Sequence, residues 1–293
     1  MQKIATIGMF DGVHRGHGFL LESLRRYAES RSLAPLVISF CEHPLSITNP
    51  AKAPALLTTP AEKEAMFAER FQDCELKIIP FTRELRGKTA VEFLTYLKKT
   101  LNVSALLIGF NNHIGSDRLS GPELVESAGS IGIEVISGTE FPDESASSSI
   151  IRNALSRGNI TEANSILGYD YTISGIVVPG KQLGRKIEFP TANISTPLNK
   201  LIPAIGVYAC IATVRGKKYR AMVNIGHRPT VDNPESTISI EAHLIDAPQQ
   251  FDIYGESISL TFIKFLRNEC KFNGIEELKK QLAIDKANTI SAT

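Results

Sequence analysis

Two clusters of residues in this chain have the types and spacing for chemistry. The first is GMFDGVHRGH, Gly8 to His17, which sets His14 and His17 three apart behind an apolar run. Gly8, Gly12 and Gly16 permit tight turns and close backbone approach. A helix opening just beyond them would favour an anion at its N-terminus. Two imidazoles there can donate hydrogen bonds to a polyphosphate as its charge shifts during reaction. No Walker A string occurs, which disfavours a P-loop NTPase. An HxxH alone is more simply a filled turn, and the strand–glycine–helix setting is what favours a site.

The second cluster is GKQLGRKIEFPTAN, Gly180 to Asn193. It offers backbone amides, the cation Lys181, and two neutral oxygen ligands, Thr191 and Asn193. In an extended segment residues two apart share a face. Hard oxygen ligands completed by phosphates and water suit Mg²⁺. Glu241, in SISIEAHLID, is a carboxylate able to take a proton from an alcohol. Taken singly, PTAN reads as a turn and a strand glutamate as a solvated one.

The elements that must position these residues divide the chain in two. KIATIGM, PLVISF, ELKIIPF, SALLIG and IEVIS read as buried strands. Between them GFLLESLRRYAES has Phe19, Leu20, Leu24, Tyr27 and Ala28 on one helical face. TTPAEKEAMFAERF predicts a helix with Pro60 near its first turn. Thr89–Glu92 and Ser120–Glu123 have the spacing of capping boxes. Strands alternating with helices predict a parallel sheet of α/β, Rossmann-like type, with ligands at the strand carboxyl ends. Near Gly168 the grammar changes to YTISGIVVPG, GVYACIATVRG, KKYRAMVNIG, STISIEAHLID and SISLTFIKFLR. Their alternation predicts an antiparallel β-barrel or sandwich, closed by a helix over GIEELKKQLAIDKANTI. Domains over 1–168 and 169–293 follow.

At 293 residues two domains are the default. With 43% hydrophobic and 22% charged residues the composition is that of a globular protein. A net charge of +1 gives no broad attraction for nucleic acid or membrane, so any anion site is local. Cys41, Cys74, Cys210 and Cys270 form no CxxC pair, as expected of reduced thiols in a cytoplasmic protein. No signal peptide or membrane-spanning run is seen. A monomer or weak homo-oligomer is expected.

The first cluster resembles the HxGH signature of the nucleotidylyltransferase superfamily, and in its longer form the GxFDGVHxGH of the FAD synthetase branch. SSSIIR, Ser147 to Arg152, is similar to that branch's second phosphate motif, SSTxIR. The resemblance implies transfer of AMP from ATP to FMN, with release of pyrophosphate. It implies nucleotide-binding roles for Gly8, Phe10, Asp11, Gly12, Gly16, Ser147, Ser148, Ser149 and Arg152, and transition-state donors in His14 and His17. Two segments depart from the pattern. FCEHP has Glu42 where the branch has proline, and GFNNHIGSDRLSG has Asn111, Asn112 and Ile114 where it has Asp, Phe and Phe. Both would lie on the flavin and adenine side of the pocket, Asn111 against flavin.

GRKIEFPTAN, PAIGVYA, NIGHRPT, IEAHLID and FLRNECKF are together similar to the riboflavin kinase module, an antiparallel barrel with a C-terminal helix. That resemblance implies Mg²⁺ on Thr191 and Asn193, and Glu241 as general base on the riboflavin 5′-hydroxyl. It implies ATP phosphates under Gly180, Lys181, Gly184 and Arg185, and flavin beside Arg267. Glu188 stands where the module has glycine; a positive φ there would strain a glutamate. The expected protein is bifunctional. It takes riboflavin, FMN and ATP, uses Mg²⁺, and produces FMN and FAD. The alternative is a riboflavin kinase with an altered or inactive adenylyltransferase domain.

Overall fold

The computed structural model describes residues 1–109, 113–138, 146–180, 184, 187–230, 233–248 and 251–293; for 228–230 and 233–237 it describes the backbone. The chain forms two compact units, Met1–Ser147 and Ser148–Thr293.

In the first unit, strands β1 (Lys3–Ile7), β2 (Ala34–Phe40), β3 (Glu75–Ile79), β4 (Val103–Ile108) and β5 (Glu134–Ser137) form a parallel sheet. Their order is β3-β2-β1-β4-β5. The chain therefore runs outward in opposite directions on either side of β1. That reversal opens a crevice at the carboxyl ends of β1 and β4. Side chains alternate across the sheet and both faces are covered. Ala5, Ile7, Leu36 and Ile38 pack with Phe93, Leu94 and Leu97 of α5 (Ala90–Leu101) and Leu124 and Ala128 of α6 (Gly121–Ser130). Ile4, Val37, Ala105 and Leu107 pack with Leu21, Leu24 and Ala28 of α1 (Arg15–Arg31) and Phe67 of α3 (Pro60–Arg70). Leu21 replaces Phe19 at the centre of the α1 stripe, with Leu20 and Tyr27 at its margin.

Thr89 and Glu92 form the expected reciprocal cap at α5. A second capping box, Thr59 with Glu62, opens α3 ahead of Pro60. The Ser120–Glu123 expectation is corrected: Ser120 holds the N-cap position of α6 but makes no side-chain cap bond. Gly121, the first residue of that helix, has φ +53°, a left-handed entry that displaces Ser120 from capping geometry. Two short helices not foreseen, α2 (Pro44–Thr48) and α4 (Arg83–Gly87), sit in connections.

The second unit starts with α7 (Ser148–Ser156) and α8 (Ile160–Leu167). α8 ends at Gly168, left-handed with φ 79°. Both helices pack within this unit. The Asn164 amide donates to the Phe262 carbonyl at 2.9 Å, and the Ala204 N–H donates to Leu155 at 3.0 Å. Six strands close into a barrel in the order β10-β7-β6-β11-β8-β9. They are β6 (Thr172–Val178), β7 (Ala192–Ser195), β8 (Gly206–Val214), β9 (Lys217–Thr230), β10 (Asn233–Leu244) and β11 (Ser257–Arg267). Tyr208 packs edge-on against Phe262 at 5.3 Å inside it. Helix α9 (Ile275–Ala292) closes the chain as expected.

Candidate active sites

In the first unit, residues 8–14 cross the sheet's carboxyl edge from β1 to the start of α1. Gly12 has φ 78°, but Phe10 and Val13 are also left-handed, at 46° and 35°. Non-glycine residues in this region cost roughly 1–2 kcal/mol each and persist only where surroundings over-determine them. Both side chains are buried in the α1 core. The turn is also held from outside. The Thr58 N–H donates to Asp11 Oδ1 at 3.0 Å, and the Gly12 N–H to Thr58 Oγ1 at 3.0 Å. Neither Thr58 nor the buried Lys63 was singled out by sequence. The signal that could have found Lys63 is its place on the helical stripe of Met66 and Phe67, behind the Thr59 cap; Thr58 carries no such signal.

His14 is the N-cap residue of α1 and His17 sits in its first turn. Their rings stack with centroids 3.8 Å apart, and Phe10 lies 5.1 Å from His17. A Cβ on Gly16 would meet the His14 ring at 3.3 Å and the Ala146 carbonyl oxygen at 3.4 Å. Glycine therefore lets the ring lie back over the helix start. Burial holds His14 at about 4, although Asp11 favours its charged form. Burial, then His14 and Lys63, push His17 well below the usual histidine range. The Nδ1 atoms of both rings are buried without a hydrogen-bond partner among the described residues. Two neutral imidazoles at a helix N-terminus form a site that donates hydrogen bonds. They are too weakly basic to store a proton near neutral pH.

Ser147 ends the first unit, and Ser148 opens α7 with Ser149 exposed and Arg152 half-buried on it. Gly8 lies at the end of β1, where a Cβ would meet the Phe10 ring at 3.3 Å. Glu42 is exposed and accepts from Ser46 Oγ at 3.2 Å. Ile114 is buried and forms a bridge with Leu119, so it serves core packing. Asn111 and Asn112 lie outside the described residues.

In the second unit, β7 and β10 pair antiparallel with Asn193 opposite Glu241. Thr191 Oγ1 donates to Glu241 Oε2 at 3.3 Å. The three residues expected to act together are thus neighbours. Glu241 and His243 share one face of β10, and His243 Nδ1 lies 2.8 Å from the Pro190 carbonyl oxygen. With a carbonyl as acceptor, that nitrogen carries the proton. Burial lowers the His243 pKa, consistent with a neutral ring.

Close backbone approach explains the glycines. A Cβ on Gly180 would lie 2.0 Å from the Asn193 amide nitrogen, and one on Gly184 2.1 Å from the Phe189 carbonyl oxygen. The Phe189 N–H donates to Gly184 at 2.9 Å, closing the loop onto Pro190–Thr191. Lys181 and Arg185 lie outside the described residues. Glu188 has φ +67°, the conformation a glycine would supply, and its side chain is exposed.

A cavity of about 260 Å³ opens beside these residues, lined by Thr191, Glu241, Asn224, Glu269, Arg267 and Phe272 among others. The Arg267 guanidinium grips Asp285 of α9, with Nη2 2.7 Å from Oδ2 and Nε 3.0 Å from Oδ1. Gln281 donates to the same carboxylate at 2.8 Å. Arg267 therefore reaches the cavity wall while tied to α9, its pKa raised by that pairing.

A FAD synthetase family model matches residues 1–150 and a riboflavin kinase family model matches residues 167–293. The chain belongs to the bifunctional riboflavin kinase/FMN adenylyltransferase family. The enzyme of that name from Bacillus subtilis is 34% identical over 99% of this chain and 92% of its own length. The Escherichia coli K12 enzyme is 38% identical over 96% and 90%. The fold is also similar to a crystal structure described as a macrolide-efflux protein from Streptococcus pneumoniae. It has a TM-score of 0.84, 29% identity, and covers 100% of this chain and 95% of that one. No helix among the described residues is long and apolar enough to cross a membrane. Membership places a kinase and a nucleotidyltransferase on one chain, with the boundary between the two matched segments falling within α7 and α8.

Proposed function

We propose that the barrel unit phosphorylates riboflavin to FMN through Glu241, and that the α/β unit adenylylates FMN to FAD through His14 and His17. The observation that carries the reading is the convergence of Thr191, Asn193 and Glu241 across the β7–β10 pair.

In the first reaction Glu241 takes the proton of the riboflavin 5′-hydroxyl. The oxygen forms a bond to the γ-phosphorus of ATP as the bond to the β-phosphate oxygen breaks, and ADP leaves. Thr191 and Asn193 would hold Mg²⁺. Two neutral oxygen donors beside a carboxylate fit a hard cation completed by phosphates and water, and only glycine at 180 lets the backbone pass this close to the Asn193 carboxamide. When bound, the ion supplies positive charge to the phosphate oxygens. The Gly180–Gly184 loop, with Lys181 and Arg185, covers the phosphates, and Arg267 borders the flavin.

In the second reaction an FMN phosphate oxygen attacks the α-phosphorus of ATP, and the bond to the β-phosphate breaks to release pyrophosphate. No covalent enzyme intermediate is required, so the residues position and stabilise charge. His14 and His17 donate N–H groups to the phosphates at the α1 N-terminus. Ser147, Ser148, Ser149 and Arg152 supply the second phosphate contact, and Asn111 the flavin side. Four free cysteine thiols fit a reducing, cytoplasmic setting.

Product analysis with riboflavin, ATP and Mg²⁺ tests the reading. The wild type is expected to make FMN and then FAD. Glu241→Gln should lose roughly 10²–10⁴-fold in FMN formation, the range for a general base, while still adenylylating added FMN. His17→Ala should do the reverse. A wild type that makes FMN but no FAD would leave a kinase alone.

A further inference from the structure

Lys63 is an unusual residue to find in a sheet-covering helix. It is 2% exposed. Its ammonium donates to the Met9 carbonyl oxygen at 2.6 Å and to Ser39 Oγ at 2.7 Å, while Ser39 Oγ also donates to Met9 at 2.9 Å. No carboxylate among the described residues forms an ion pair with it. Burial drives its pKa down to about 8, even though Asp11 and Cys41 favour the charged form. A buried cation with neutral partners is a standing cost to the fold, and an apolar side chain of the same length would remove it.

What that cost sustains is visible at the other end of the contact. Met9 immediately precedes Phe10, the first of the left-handed residues in the turn that delivers His14 and His17. Thr58, at the start of the same segment, holds Asp11 and Gly12 from the far side of Phe10. The α3 entrance therefore grips the turn on both sides of its strained residue. The Thr59–Glu62 capping box fixes the α3 entrance in turn.

We propose that Lys63 is a positioning residue of the adenylyl-transfer site. By anchoring the Met9 carbonyl it holds the Phe10–Val13 bends, and so sets where the two imidazoles present their N–H groups. The inference rests on the adenylyl-transfer reading of this site. Lys63 itself touches no substrate, being buried beneath the turn.

The test compares FAD formation from FMN and ATP in the full chain, with riboflavin phosphorylation as an internal control. Lys63→Met is expected to lower kcat for FAD formation about 10–100-fold, the scale for small misplacement of reacting groups. KM for ATP should change less than about threefold. Thermal stability should be equal or higher, because a buried charge is gone. Lys63→Gln, which keeps a donor for Met9, should recover most of the lost kcat. Kinase turnover should be unchanged in both. Wild-type kcat in Lys63→Met, or no recovery in Lys63→Gln, overturns the anchoring role. If Lys63→Met does not fold, Lys63→Leu, which also removes the donor to the Met9 carbonyl, takes its place, and wild-type kcat there overturns the role instead. A wild type that forms no FAD overturns the underlying reading, a result distinct from any of these.

Discussion

Replacing Glu188 by glycine should stabilise the barrel unit. Glu188 has φ +67° on the segment that leads into Pro190–Thr191. An L-residue there carries about 1–2 kcal/mol that glycine escapes. Glycine also has a freer unfolded chain, which takes back about 0.5–1 kcal/mol. The net is a gain of roughly 0.5–1 kcal/mol, or about 1–4 °C in the barrel's thermal midpoint for a unit of this size. Glu188→Ala separates conformation from charge, since alanine keeps the steric penalty and loses the carboxylate. Because Glu188 is exposed, its charge is well screened, and the alanine variant should melt close to the wild type. The assay is thermal unfolding followed by circular dichroism, with loss of kinase activity marking the barrel's transition. A glycine variant no more stable than the wild type would refute the reasoning. So would an alanine variant that gains as much as glycine, because the benefit would then come from the charge.

Acid should weaken the first unit through His14. Its folded pKa of about 4 lies below the ordinary 6.5, so the unfolded chain binds the proton first. Stability from its neutral burial is present above about pH 6.5 and drains as pH falls toward 4, costing about 2 kcal/mol by about pH 5. Urea unfolding at about pH 7 and pH 5 should show a smaller difference in His14→Gln than in the wild type. Asp285→Ala strips the partner from Arg267, whose side chain keeps 22% of its exposure. Breaking a buried pair costs about 3–5 kcal/mol, and that residual exposure argues for a loss nearer 2–3. Urea unfolding of the barrel should report it, with adenylyl transfer from added FMN unaltered.

Much of this was legible in the sequence because local pattern and global fold agree. The five apolar runs of the first half are the five parallel strands, and alternation in the second half is the barrel. Thr191, Asn193 and Glu241 were readable as partners from residue chemistry and motif, and strand register brings them together. β7 was less visible: four residues following a proline give alternation little room. Whether the barrel or a sandwich formed depended on long-range closure, which no window of sequence reports. Lys63 and Thr58 were hidden for a related reason. Their contacts with Met9, Asp11 and Gly12 span the distance between two separate βα connections, and a helical lysine ordinarily faces water. Phe10 and Val13 carry no glycine-like mark of their left-handed backbone; tertiary packing imposes it.

The pairing of Asn193 with Glu241 couples activity to the correctness of folding. Side chains alternate along a strand, so a slip of β10 by one residue against β7 would turn Glu241 and His243 to the opposite face together. A mispaired barrel would lose the base and the support of Pro190 in the same event, while turning the buried Ile240, Ala242 and Leu244 out of the core. Such molecules would be silent rather than sluggish. Specific activity in a preparation then counts the fraction of barrels closed in the right register.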